Sequence, residues 1–263
     1  MLLQLTATES SSVSGNNKSL RKKMRTIKKR RSGALSILDQ INLNNHAPED
    51  WQKIISSQKL KRLLETGEQT GVHVLVGDIR QSAFLMKESV SAKRFAQITR
   101  DFIKAIKSAT NSNEAWFDKF TGDGFIIYWI YGDDPNKYVK RILAFFQALL
   151  SYFPEVMHEY RLNSRNFPVG VGLSLGVDSG LCALVEIEDL NIVGPPVVGA
   201  SRMVAAAEPF ETLVNVSIGA ELYKNRKQLA AEHRIHVLKK RIKTKEYADE
   251  GGGQEAYSTQ FKK

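Results

Sequence analysis

AWFDKFTGDGFIIYWI (residues 115–130) decides the fold. Its two halves, AWFDKF (115–120) and FIIYWI (125–130), are rich in aromatic and β-branched residues, and TGDG lies between them. The stretch therefore reads as a β-hairpin with Thr121–Gly124 at its tip. Toward the N-terminus, VHVLVGDI (72–79) reads as a buried strand. Residues 82–109 read as helical, with Phe95, Ile98, Phe102, Ile103 and Ile106 on one face. Beyond the hairpin, residues 135–160 form a long amphipathic helix carrying Val139, Ile142, Leu143, Phe146 and Leu150. VGVGLSLGV (169–177) and LCALVEI (181–187) are expected to pair as two strands. Residues 196–207 read as a helix, LVNVS (213–217) as a strand, and 218–231 as another helix. RIHVLKKRI (234–242) and QEAYSTQF (254–261) close the order as strands, joined by a loop containing Gly251–Gly253. The order β-αα-ββ-α-ββ-α-β-α-β-β predicts an α+β domain, a mixed sheet covered by helices and ferredoxin-like at its centre. No internal repeat is visible.

Composition limits what such a domain does. The chain has 263 residues, 42 % of them hydrophobic, which excludes disorder throughout and collagen-like structure. The single cysteine, Cys182, excludes an intramolecular disulfide framework and fits a reducing cytosol. No apolar run approaches the roughly 18–20 residues of a membrane helix. The opening MLLQLTA lacks the basic start and long apolar stretch of a secretion signal, so a cytoplasmic location is expected.

The net charge of +10 invites a nucleic-acid reading, which weakens once the charge is located. Residues 1–33 hold nine basic residues against one acid, Glu9, a charge of +8 that leaves +2 for the rest. This tail is either a solvated segment or an amphipathic helix, with Leu20, Met24 and Ile27 on one side. Its partner is not defined by the sequence, and no nucleic acid is expected for the near-neutral body. Residues 34–69 form a helical lead-in, and 70–263 the main domain.

Two acids stand out because each ends a hydrophobic strand. Asp78 follows VHVLVG and precedes a helix starting near Ser82; Asp123 lies between two glycines at the hairpin tip. Carboxylates at strand ends suit hard divalent cations, and two on neighbouring strands suit a pair of ions about 3.5–4 Å apart. Each also has a plainer reading, Asp78 as a helix cap and Asp123 as a turn aspartate.

VLVGDIRQSAFLM (74–86) and WFDKFTGDGFIIYW (116–129) resemble the two metal-binding motifs of class III nucleotidyl cyclases, the adenylate and guanylate cyclase catalytic domain. NIVGPPVVGASRM (191–203) resembles the family's third stretch, and the resemblance spans residues 70–262. It implies that Asp78 and Asp123 bind two divalent ions, Mn²⁺ or Mg²⁺, and that Ile79 adds its backbone carbonyl. The backbone of Arg80, Gln81, Ser82 and Ala83 would cradle phosphates, with Ala83 standing where the family usually has Thr. Arg202 matches the arginine that stabilises charge on the transferring phosphoryl group. The family's ribose-orienting asparagine is Val198 here, and valine forms no hydrogen bond. Lys243, or alternatively Lys245, matches the lysine that grips the terminal phosphates.

The resemblance further implies a head-to-tail homodimer with shared sites. The substrate would be a nucleoside triphosphate and the product a 3′,5′-cyclic nucleotide. Lys119 and Asn191 occupy the two base-reading positions. Lysine only donates hydrogen bonds, which disfavours guanine, and asparagine can meet adenine, cytosine or uracil. The compact layout and Val198 resemble the bacterial pyrimidine cyclases of anti-phage defence, whose cyclic CMP or cyclic UMP is read by a separate effector. An adenylate cyclase is the alternative. An inactive cyclase-fold scaffold is a rival of another class, and Val198 and Ala83 favour it. The five histidines show no catalytic or metal-binding spacing and read as structural.

Overall fold

The VHVLVGDI strand is longer than its apolar core and is paired along both edges. In the computed structural model, which describes residues 58–187, 189–243 and 253–261, this strand is β1 (Gln69–Arg80). It pairs antiparallel with β3 (Gly124–Ile130) on one side and β4 (Gly172–Ile187) on the other. Residues 62–263 form one compact unit. The basic tail and most of the helical lead-in lie outside the described residues. The lead-in ends in a helix, α1 (Gln58–Thr66).

After β1 come α2 (Ser82–Glu88), α3 (Ala92–Ser112), β2 (Trp116–Phe120), β3 and α4 (Val139–Leu162). Then follow β4, β5 (Asp189–Val193), α5 (Pro195–Ala206), β6 (Glu211–Val214), α6 (Val216–Lys224) and α7 (Arg226–His233). The strands β7 (Ile235–Ile242) and β8 (Gln254–Phe261) end the domain. The sheet runs β2-β3-β1-β4-β6-β8-β7, with β5 paired to β4. All these pairings are antiparallel except β4–β6, so the expected mixed α+β sheet is the observed one.

Strand alternation divides the sheet into two faces. Leu75, Phe125, Ile127, Trp129, Leu173, Leu175 and Val177 turn to one side, where Phe102, Ile106, Phe145, Phe146 and Phe153 complete the core. Burying side chains of this size stabilises the fold by about 1.5–3 kcal/mol each. Gly176 turns to the opposite side, where α5 lies against the sheet. A Cβ on Gly176 would stand 2.3 Å from both Ala200 O and Val204 N, so only glycine permits this approach.

Three expectations are corrected. The expected strands 169–177 and 181–187 are one strand, β4, because Asp178, Ser179 and Gly180 pair with Val74, His73 and Val72. The polar appearance of Asp178 is satisfied locally: Ser179 N and Asn215 Nδ2 both donate to its Oδ1, at 2.8 and 2.7 Å. The real hairpin partner is β5, which the sequence reading did not include as a strand. LVNVS stops being a strand at Val214, because Asn215 caps α6 by accepting Ile218 N at 3.2 Å. The helix expected over 218–231 is two, α6 and α7, meeting at Asn225. No helix among the described residues is long and apolar enough to cross a membrane.

Candidate active site

The ends of β1 and β3 hold the two aspartates. The register pairs Asp78 with Gly124, so Asp123 follows directly at the hairpin tip. A Cβ on Gly124 would lie 2.6 Å from Gly77 O, and its absence lets the two strand ends close. Ile79 N donates to Asp123 O at 3.2 Å, which fixes the tip against β1. Ser82 Oγ donates to Asp123 Oδ2 at 2.6 Å. The sequence reading enlisted Ser82 for its backbone, and the hydroxyl adds this hold on the second carboxylate. Gln81 joins β1 to α2 with φ 64°, a left-handed conformation uncommon outside glycine.

Burial raises the Asp78 carboxyl above its ordinary pKa, the charge of Asp123 raises it further, and Arg80 opposes both. Two carboxylates at adjoining strand ends whose charges repel each other form an oxygen donor set that fits a hard divalent cation. No group of three or more His, Cys, Asp or Glu side chains suited to a metal gathers among the described residues. Such a site would be completed by water or phosphate oxygens, as Mg²⁺ prefers.

The Arg80 side chain is committed elsewhere. Its NH1 lies 3.8 Å from Asp78 Oδ2, its Nε donates to Ser174 Oγ at 3.0 Å, and its NH2 donates to Ala207 O at 2.7 Å and to Val204 O. The guanidinium thus joins the aspartate strand to the C-terminal carbonyls of α5, where a cation suits the helix dipole.

Lys119 and Asn191, 72 residues apart, meet: Lys119 Nζ donates to Asn191 Oδ1. Beside them is Asp118, a residue the sequence reading passed over. Its side chain is 1 % exposed. Oδ1 accepts the Ile192 N–H at 3.1 Å, and Oδ2 lies 3.5 Å from Lys119 Nζ. Burial raises the Asp118 pKa, with Lys119 and the Ile192 N–H opposing it.

Arg202 and Val198 lie one turn apart on α5, Arg202 half-buried and Val198 48 % exposed. The helix is seated there by Gly199, where a Cβ would meet Asp178 Oδ2 at 1.8 Å. Lys243 is exposed just past β7, and Lys245 lies outside the described residues. The structure therefore joins the predicted residues in two sets, Asp78 with Asp123 and Ser82, and Lys119 with Asn191. Arg202 and Lys243 stand on other elements.

His73 is buried on β1. Its Nε2–H donates to Pro135 O at 2.9 Å, so Nδ1 accepts from Ser179 Oγ at 2.7 Å. Burial pushes its pKa down to about 4, and the imidazole is neutral in its structural role.

No family model and no curated protein matches the chain. Solved structures do. The adenylyl cyclase CyaB from P. aeruginosa aligns with a TM-score of 0.62 at 17 % identity, over 74 % of this chain and 96 % of that one. The guanylyl cyclase Cya2 gives 0.55 at 15 % identity, over 73 % and 92 %. The guanylate cyclase domain of RhGC from Catenaria anguillulae, in complex with GTP, gives 0.52 at 13 % identity, over 74 % and 100 %. The domain has the fold of nucleotidyl cyclase catalytic domains.

Proposed function

We propose that the chain is a nucleotidyl cyclase that converts a pyrimidine nucleoside triphosphate, CTP or UTP, into its 3′,5′-cyclic nucleotide and pyrophosphate. The observation that carries this is the Asp78↔Gly124 register, which sets Asp78 and Asp123 at adjoining strand ends within a cyclase fold. Two divalent cations, Mn²⁺ or Mg²⁺, held by Asp78, Asp123 and the Ile79 carbonyl, would favour ionisation of the ribose 3′-hydroxyl and offset phosphate charge. The 3′-oxygen attacks the α-phosphorus in line and its proton passes to solvent. The bond to the β-phosphate bridging oxygen breaks, and pyrophosphate leaves with the electron pair. The Arg80–Ala83 backbone and Lys243 hold the phosphates, and Arg202 donates to the charge that grows on the transferring group. No side-chain nucleophile takes part.

The pair Lys119–Asn191 reads the base. An ammonium only donates, so the Asn191 amide turns Oδ1 toward Lys119 and carries Nδ2 on its other side. Such an array of donors suits neighbouring acceptors, which cytosine offers at N3 and O2; uracil offers O2 and O4 on either side of its N3–H donor. Adenine sets the donor N6 beside its acceptor N1. Lys119 alone suits adenine N1, and this favours ATP as the second reading. The cyclic product would act as a signal for a separate effector in antiviral defence.

The test offers ATP, GTP, CTP and UTP separately with Mn²⁺ and identifies products by mass. A cyclic pyrimidine nucleotide is expected. Exclusive use of ATP establishes the second reading, and no cyclic product from any of the four removes both. Shared sites in a head-to-tail homodimer are tested by mixing. Asp78→Ala and Arg202→Ala chains, each inactive alone, should recover activity together, and no recovery from folded, dimeric variants removes the shared site.

A further inference from the structure

We propose that Asp118 is a positioning residue for base selection, holding Lys119 and β5 in the one arrangement in which Lys119 and Asn191 act as a pair. The inference rests on the base-reading role of that pair. In a regular strand, Asp118 and Lys119 would point to opposite faces. The register of β2 against β3 slips between Phe117 and Lys119, and this bulge lets both side chains turn toward β5. Asp118 then makes two different connections. Its Oδ1 accepts the Ile192 N–H, which tethers the backbone right beside Asn191. Its Oδ2, buried and without a hydrogen bond among the described residues, stands 3.5 Å from the Lys119 ammonium and supplies charge alone.

A carboxylate buried to this degree is retained at a cost unless a cation stays beside it. Lys119, 44 % exposed and flexible by nature, is thereby kept from swinging into solvent. Its ammonium stays between Asp118 Oδ2 and Asn191 Oδ1. The backbone tether and the charge are separable: Asp118→Asn keeps an oxygen for Ile192 N–H but sets an amide in place of the charge that faces Lys119.

The experiment measures kcat/KM and equilibrium binding for each of the four triphosphates, in the full chain, for Asp118→Asn, Lys119→Ala and the double variant. Thermal unfolding is followed alongside. Asp118→Asn is expected to unfold near the wild-type temperature and to lower the preference for the best base over the worst by about tenfold, a change of the size expected when one oriented charge-assisted contact is lost. In the Lys119→Ala background the same substitution should change the preference no further, because Asp118 acts through Lys119. If Lys119→Ala shifts the preference and Asp118→Asn leaves it unchanged, the positioning role of Asp118 is overturned while base reading by the pair stands. If Lys119→Ala also leaves it unchanged, the base-reading role falls and the inference with it. An equal loss for all four triphosphates from Asp118→Asn marks a merely structural residue and overturns the proposal.

Discussion

The aspartate end of the sheet and the corner proposed to read the base are built in opposite ways. Asp78 and Asp123 are brought together by backbone pairing: β1 and β3 zip in register, and a glycine at Gly124 lets the ends close. Lys119 and Asn191 are brought together by side chains, through a bulge and a buried carboxylate, from strands that do not pair with each other. The first region is a product of the sheet, and under the proposed function its carboxylates serve chemistry without holding the fold. In the second, the side chains proposed to choose the substrate also tie β2 to β5, so removing Lys119 or Asn191 should change base preference and stability jointly, whereas Asp118→Asn keeps the oxygen that holds the Ile192 N–H.

Substitution at Asp78 tests the first half of this contrast and carries the largest expected effect. Asp78→Asn should lower turnover by about a thousandfold or more, since the oxygen donor set loses a charge. Its unfolding temperature should hold or rise, because burial and the Asp123 charge both disfavour the ionised group. A drop of several degrees together with the activity would break the contrast.

His73 offers a second test, on the same strand as Asp78 but on the opposite face. The native imidazole stays neutral to about pH 4, whereas the unfolded one takes up a proton from about pH 6.5. In that window the unfolded state binds more protons, so stability falls as pH falls. Denaturant melts of the wild type and His73→Gln should converge by about 3 kcal/mol between pH 7 and pH 4, the difference being lost as pH drops. A constant difference across that range would show that His73 titrates in the native state as it does in the unfolded one.

Ser82→Ala should have the smallest effect. Loss of the hydrogen bond to the exposed Asp123 should cost about 0.5–1 kcal/mol at most and reduce turnover by a few-fold. A loss as large as that of Asp78→Asn would mean that the aspartate end, too, depends on a side-chain network, and the contrast would shrink.

The same division explains what was legible in the sequence. The aspartate end lies in two continuous segments whose strand and turn signals are local, so VHVLVGDI and the hairpin at Thr121–Gly124 point directly to it. Val74–Asp78 and Gly124–Tyr128 then pair as their patterns require. At β4, the local signal misled. Asp178-Ser179-Gly180 has the composition of a turn, but β1 supplies a backbone partner for each residue and Asn215 satisfies the carboxylate. Because that turn does not exist, β4 runs on to Ile187, and β5 folds back beside its last residues, bringing Asn191 to Lys119. Asp118 had no local mark at all. Its role depends on an N–H donated from 74 positions away, and no periodicity within β2 encodes that.

The glycine at 176 has a mechanical consequence. Helices slide over sheets on a cushion of side chains that exchange rotamers, and here the backbone of α5 rests against β4 with no such cushion at the contact. Arg80 fastens the far end of the same helix to β1. The helix that carries Arg202 is therefore fastened at two places to the strands that carry and flank Asp78. In the proposed head-to-tail dimer, bringing Arg202 of one subunit onto a phosphate held by the other would then call for movement between subunits rather than of α5 within its own.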